Sequence, residues 1–306
     1  MARFSFLSGL LVVCLVHPLS AVAKDREDSS GKGTKKKAAP VVKKVEPVSD
    51  TKASSGAPAI HAAAAVVIDA ETGKILYSIN PDQQRAVAST QKLMTALLVA
   101  EAGGLDRMVK IQESDTWAEP SKLDIKAGET YRKGDLLRIL MVKSMNDVAR
   151  ALARDTGGSV EGFAKKMNAR AEDLGMNNSH FVNPNGLPAA GQYSTARDMA
   201  KLAVVAYRSR AIRDAVRLKE LSWECPDGEV KVFHNTNRVL TSLESCNGMK
   251  TGYTVAAGFC LVSSASSGGR DVIAVVLGDA KAFVWRDSHN LLSWALGINP
   301  VASSSR

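Results

Sequence analysis

Three short strings hold the residues whose types and spacing suit chemistry: Ser89-Thr90-Gln91-Lys92, Ser144-Met145-Asn146 and Lys250-Thr251-Gly252. Residues three apart on a helix share a face, so the Lys92 amine can reach the Ser89 hydroxyl. An alcohol is a weak nucleophile, and a lysine can take its proton only if the amine's pKa falls from about 10.4 toward neutrality. Burial does this, and so does a second positive charge nearby, a part Lys250 can supply. Ser89 is expected in the first turn of a helix, where free N–H groups and the helix dipole favour a negative oxygen, which makes its own N–H a natural oxyanion donor. The N–H of Tyr253 would complete such a hole, and losing one donor typically costs about 100-fold to 1,000-fold in rate. Ser144 and Asn146 are expected on a turn between helices, Ser144 to relay a proton and Asn146 to hold Lys92 and a substrate amide. Lys250 and Thr251 fall in a strand-like stretch, with Gly252 leaving room for an extended peptide to lie alongside as an added strand. Together the strings describe acyl transfer through a serine with lysine as its base. Alone, Ser89 reads as an ordinary N-cap and Lys250-Thr251-Gly252 as a strand end; order and setting carry the meaning.

The elements that must position these residues follow from pattern. His61 to Asp69 is mostly apolar, Glu71-Thr72-Gly73-Lys74 makes a turn, and Ile75 to Ile79 returns as the second arm of a hairpin. A helix opens at Ala88-Ser89, carries Leu93, Met94, Leu97 and Leu98 at helical spacing, and ends at Gly103-Gly104. Further helices are predicted over Lys133–Lys143, Asn146–Arg154, from the cap Ser159 onward, and from Tyr193-Ser194-Thr195, where Asp198 is expected to share a capping interaction. Gly175 to Gly191, rich in Asn, Pro and Gly, reads as an ordered loop bordering a site. Five short strands follow, at Leu218–Glu224, Glu229–Phe233, Gly248–Tyr253, Gly258–Ser263 and Val272–Gly278, and then a last helix, Val284–Leu296. The layout is α+β: one antiparallel sheet built from both chain ends, flanked by helices.

The N-terminus has the three-part plan of a signal peptide: Met1-Ala2-Arg3, an apolar run from Phe4 to Val16 too short for a stable membrane anchor, and Ala21-Val22-Ala23 suited to cleavage after Ala23. Residues 1–23 are therefore expected to direct export to the periplasm or cell envelope, and Cys14 to leave with them, so that the mature chain has no transmembrane anchor. Residues 24–58 lack large apolar side chains and read as a disordered linker. It has nine basic residues against five acidic ones, close to half of the chain's net charge of +9. It is either a solvated spacer or a weak tether to membrane or wall anions, each Lys worth up to about 1 kcal/mol at such a surface. Nucleic acid is a poor partner for an exported chain. Residues 59–297 are long enough for one substantial core, and residues 298–306 form a tail. Cys225, Cys246 and Cys260 leave open one disulfide with a free thiol or three free thiols. His61, His180, His234 and His289 have no metal-ligand spacing, so neither a metal nor an organic cofactor is implied.

Over residues 59–296 the chain resembles the low-molecular-mass penicillin-binding proteins, the serine D-alanyl-D-alanine carboxypeptidases and D,D-endopeptidases of peptidase family S11. Besides the three strings, the resemblance rests on Lys92-Leu93-Met94-Thr95-Ala96, Phe181-Val182-Asn183-Pro184-Asn185-Gly186-Leu187, Tyr193-Ser194-Thr195-Ala196-Arg197-Asp198-Met199-Ala200, His234-Asn235-Thr236-Asn237 and Ala257-Gly258-Phe259. It implies the serine β-lactamase and D,D-peptidase fold, with peptidoglycan stem peptides as substrate and β-lactams as covalent inhibitors. It also implies Ser89 as the acylated nucleophile, Lys92 as its base, Ser144 and Asn146 as the second wall, and Lys250 and Thr251 as binders of a substrate carboxylate. Arg286 matches a further carboxylate-orienting arginine, its plain alternative being a solvated helix-start residue.

Two departures bear on substrate. Met145 stands where the carboxypeptidases often have glycine, which is expected to narrow the cleft, and the chain ends ten residues after Leu296, which resembles the shorter endopeptidase branch. Carboxypeptidase action is the primary expectation and cross-link cleavage the alternative. A class A-like β-lactamase would need a deacylating glutamate in the loop Gly175–Gly191, which has no acidic residue; nearby Glu172 reads as a solvated helix residue. A non-catalytic penicillin-sensing wall-binding module is the last alternative, against which the intact Ser89, Lys92 and Lys250 argue.

Overall fold

The computed structural model describes residues 56–298. The expected signal peptide, the linker up to residue 55 and the tail from residue 299 lie outside the described residues.

In chain order, β1 (Ala64–Asp69) and β2 (Ile75–Ile79) form the opening hairpin, and a 3-10 turn (Ala88–Gln91) runs straight into α1 (Lys92–Glu101). β3 (Met108–Lys110) and β4 (Thr130–Arg132) flank a long excursion, followed by α2 (Lys133–Lys143), α3 (Asn146–Gly157) and α4 (Val160–Asp173). After the loop come α5 (Ala196–Arg208), α6 (Arg210–Val216), β5 (Glu220–Glu224), β6 (Val230–His234) and the single turn α7 (Val239–Ser242). β7 (Cys246–Thr254), β8 (Gly258–Ser267), β9 (Arg270–Asp279) and α8 (Val284–Leu296) complete the chain.

The main sheet has the order β2-β1-β9-β8-β7 and is antiparallel throughout, so β1 and β2 from one chain end join β7 to β9 from the other, as expected. β5 and β6 do not enter it; they pair only with each other, as do β3 and β4. Their alternation marks them as strands but does not say which sheet they join, and the pairing of β3 with β4 spans a gap no local pattern bridges. Both faces of the main sheet are covered. Val66, Ile273 and Val275 face the core made with α1 to α6, whereas Val67, Ala274 and Val276 face a second core closed by Leu291 and Leu292 of α8. This explains why β9 reads as a continuous apolar run rather than an alternating one.

α1 lies inside the helical body, with Leu93, Met94, Ala96, Leu97 and Val99 all buried. Its large side chains contribute roughly 2 kcal/mol each by burial. A helix so immersed keeps its first turn in one place. Met145 caps α3 and its side chain packs into the main core at 5% exposure, so it belongs to the core and does not narrow the cleft as expected. The three cysteines of the described residues are free thiols, and burial pushes Cys246 and Cys260 up to about 11.

Candidate active site

Ser89 sits in the 3-10 turn rather than in the α-helix proper. In a 3-10 turn residues i and i+3 eclipse each other, which carries Lys92 beneath Ser89 more directly than α geometry would. The preceding Ala88 is held at φ 48, a left-handed conformation that costs an alanine on the order of 1 kcal/mol and is sustained by packing on both sides.

Lys92 is fully buried, and its Nζ has three neighbours, each at 2.7 Å: Ser89 Oγ, Asn146 Oδ1 and the backbone oxygen of Asn185. Burial lowers its pKa well below the usual lysine value; the positive charge of Lys250 lowers it further, while Asp147 pulls the other way. The geometry suits a neutral amine. In the neutral form the two carbonyl oxygens, which only accept, take both amine protons and leave the lone pair facing Ser89 Oγ; in the protonated form the third proton goes to Ser89 Oγ. Ser89 Oγ also lies 3.2 Å from the Asn185 oxygen, the longer of its two contacts.

The second string is divided by backbone geometry. Ser144 ends α2 at φ 71, and Met145 in an extended conformation starts α3, so the chain turns sharply and Asn146 projects onto Lys92. Asn146 Nδ2 in turn donates to the Pro120 oxygen at 2.6 Å, which fixes the amide so that its oxygen faces the amine. Ser144 is half-buried, and its hydroxyl has no hydrogen-bond partner among the described residues; it stands two residues before Asn146 but is not bonded to Lys92.

β7 is one of the two edge strands of the main sheet and carries the third string. Gly252 approaches the Ser89 turn so closely that a Cβ there would stand 2.7 Å from Ser89 N and 2.9 Å from Thr90 N. Only glycine allows that distance, and it leaves the open strand edge beside the nucleophile. Lys250 is fully buried, its Nζ donating to the Thr251 oxygen at 2.9 Å, and burial draws its pKa down to about 7. Thr251 Oγ1 is 2.7 Å from Thr236 Oγ1. Tyr253 is exposed, with its ring 4.4 Å from that of Phe259. Arg286 is not joined to this cluster: it lies against His61 and Asp287 and over the Phe283 ring at 4.9 Å.

Two contributors have no signal in residue spacing. The first is the loop Gly175–Gly191, whose successive carbonyls at Asn183, Pro184 and Asn185 accept from Gln91 Nε2 (2.5 Å), Thr95 Oγ1 (2.6 Å) and Lys92 Nζ (2.7 Å). The second is Asp147, fully buried, which accepts from the backbone N–H groups of Leu123, Asp124, Ile125 and Val148. Burial still holds its carboxyl above the usual range. It anchors the segment that includes Pro120, and thereby Asn146. Asp198 accepts from Asn178 N and Ser179 Oγ and pairs with Lys201, so its carboxylate ties down the start of the loop; the cap itself is Thr195 Oγ1, which accepts from Asp198 N at 3.1 Å. Glu172 is exposed on α4, as expected.

One group among the described residues has metal-ligand atoms within 4.8 Å of one another, Cys225, Asp227 and Glu229, and Glu229 is already paired with Lys231 at 3.2 Å. It stands in the β5–β6 turn.

The D-alanyl-D-alanine carboxypeptidase family profile matches residues 51–281. D-alanyl-D-alanine carboxypeptidase DacF of Bacillus subtilis is 36% identical over 223 residues, which are 71% of this chain and 57% of that protein. The chain thus spans little more than half the length of that relative. D-alanyl-D-alanine endopeptidase of Escherichia coli is 33% identical, with 78% of each chain covered. The crystal structure of D-alanyl-D-alanine carboxypeptidase DacD from Francisella tularensis superposes with a TM-score of 0.74 at 31% identity, covering 82% of this chain and 73% of that one. The match of the profile across both the Ser89 and the Lys250 strings, on a fold shared with a solved relative, means that this chain belongs to the D-alanyl-D-alanine carboxypeptidase family.

Proposed function

We propose that the protein is a penicillin-sensitive serine D-Ala-D-Ala carboxypeptidase that works on peptidoglycan stem peptides through an acyl-serine. The observation that carries this is the Lys92 amine, buried and bonded to two carbonyls and to Ser89 Oγ, an arrangement suited to a neutral base. Ser89 Oγ attacks the carbonyl carbon of the penultimate D-Ala while its proton passes to Lys92 Nζ. The N–H groups of Ser89 and Tyr253 hold the oxyanion. The C–N bond then breaks, and the departing amine of the terminal D-Ala takes the proton from Lys92. Water attacks the ester, giving one proton to Lys92 and its hydroxyl to the carbonyl; Ser89 leaves and recovers that proton. Lys250 and Thr251 hold the substrate carboxylate, Arg286 turning to meet it from the start of α8, and Ser144 serves the proton transfers.

The D,D-endopeptidase reading stands second, favoured by the likeness to the Escherichia coli endopeptidase, of which the chain covers 78%. Fluorescent penicillin should label the protein at Ser89, and Ser89→Ala should not be labelled; retained labelling would refute the assignment. Digestion of purified muropeptides separates the two readings, since one releases D-Ala from monomers and the other splits dimers. Rapid penicillin turnover would favour the β-lactamase, and acylation with no peptide hydrolysis the sensing module. Export by a signal peptide cleaved after Ala23, to the periplasm or envelope, is part of the same proposal, and N-terminal sequencing tests it. Among the described residues no helix is long and apolar enough to cross a membrane. The linker 24–58 acts beside this as a basic spacer or a weak anionic-surface contact, which vesicle binding with and without anionic lipid distinguishes.

A further inference from the structure

The segment from His234 to Asn237 leaves β6 and runs between the two walls of the cleft. Its backbone is pinned on both sides of Thr236. Asn235 Nδ2 donates to the carbonyls of Val216 (3.2 Å) and Leu218 (2.8 Å), and Asn235 Oδ1 accepts from Asn237 N at 2.9 Å. Asn237 Nδ2 donates to the Gly248 oxygen and to Ser263 Oγ, both at 3.2 Å, which ties the segment to β7 and β8. Thr236 between them reaches both walls. Its N–H donates to the Val142 oxygen at 3.1 Å, two residues before Ser144, and its Oγ1 lies 3.5 Å from the same oxygen and 2.7 Å from Thr251 Oγ1.

Proton accounting gives this contact a direction. A hydroxyl has one proton to donate, and the short gap between the two threonines is bridged by one proton from either side. If Thr251 is to donate to an anion in the cleft, its proton must be free of Thr236, so Thr236 must supply the proton between them. The Val142 oxygen loses little by this: it keeps the Thr236 N–H, and its 3.5 Å contact with the hydroxyl is at the outer limit of a hydrogen bond. From this arrangement we infer that Thr236 is a positioning residue, one that donates to Thr251 Oγ1 and so aims the Thr251 proton at the substrate carboxylate. The inference rests on the proposed role of Thr251 as a carboxylate binder.

The test uses the whole protein with Thr236→Val, Thr236→Ser and, as reference, Thr251→Val. Acylation rates are measured with a penicillin bearing its free carboxylate and with the methyl ester of the same penicillin. Thr236→Val is expected to slow acylation by the free acid by up to about 10-fold, the upper end of what one neutral hydrogen bond contributes, and to change the ester rate less than about 3-fold. Thr236→Ser is expected to restore the free-acid rate to within about 3-fold. Thermal melting checks folding; if the valine variant does not fold, Thr236→Ala replaces it with the same expectation. Equal slowing of acid and ester, no slowing in a folded variant, or a serine variant as slow as valine overturns the role of Thr236. If instead Thr251→Val leaves the preference for the free acid untouched, it is the reading of Thr251 that fails.

Discussion

Replacing Asn146 by aspartate tests the claim that Lys92 works as a neutral amine. The substitution keeps shape and swaps a neutral oxygen for a charged one at 2.7 Å from Nζ. Two unit charges at that separation attract by about 6 kcal/mol at an effective dielectric of ~20, equivalent to roughly four pK units on the amine. Dehydrating the new carboxylate beside the buried Asp147 takes back part of this, leaving a rise of about two units. Acylation needs the unprotonated amine, so its rate climbs as pH rises through the pKa of Lys92; raising that pKa moves the climb to higher pH. On the rising limb the variant should therefore be about 100-fold slower than the parent, and above the limb it should recover to within a few-fold. Stopped-flow acylation by fluorescent penicillin between about pH 4 and 10 measures both. A loss of the same size at every pH, or an unmoved limb in a folded variant, would refute the reasoning and make Asn146 a binder of substrate only.

Burial draws the Lys250 amine down to about 7, whereas in the unfolded chain it titrates near 10.4. Between these values the unfolded state holds more of the proton, so stability rises with pH across that window, by up to about 5 kcal/mol from this group. Lys250→Met should raise the melting temperature at pH 7 and flatten the rise between pH 7 and 10; an unchanged slope in a pH series of melts contradicts this. Gly252→Ala should lower penicillin acylation by about 100-fold or more, because its Cβ would stand 2.7 Å from the Ser89 N–H, the expected oxyanion donor. Wild-type labelling would count against that donor. Gly186→Ala combines φ +81 with a Cβ 2.1 Å from the Ala88 oxygen, and should cost at least about 2 kcal/mol, read as a drop in melting temperature.

The three strings were legible because their signals are local. Lys133–Lys143 and Val284–Leu296 match the observed helices end to end, since each carries its own apolar stripe and is followed at once by a left-handed residue, Ser144 or Gly297. The hairpin of β1 and β2, whose turn is written between its arms, matches in its second arm, while its first arm begins at Ala64 rather than His61. Ser89 and Lys92 needed only a spacing of three. The loop Gly175–Gly191 was legible as a border of the site, but the individual contacts it and Asp147 make were not. The Asn185 oxygen is a backbone atom and leaves no mark in residue type, and Asp147 looks like any first-turn acid until its burial and its four N–H partners are seen. Met145, which stands where the carboxypeptidases often have glycine, was expected to narrow the cleft, but a left-handed turn at Ser144 sends its side chain into the core. Arg286 was placed by resemblance alone, and its partners in the fold are His61, Asp287 and Phe283.

The sequence by itself thus determined which atoms can react: a hydroxyl, an amine and a second amine, in strings whose local structure follows from neighbours a few residues away. Only the tertiary structure decided the state of those atoms. Residues 89, 146, 185 and 250 meet because a sheet edge, a helix start and a loop pack together, and the burial that results is what lowers the pKa of both lysines. A pKa depends on water excluded and charges brought near by the whole fold, and no stretch of chain carries that information alone.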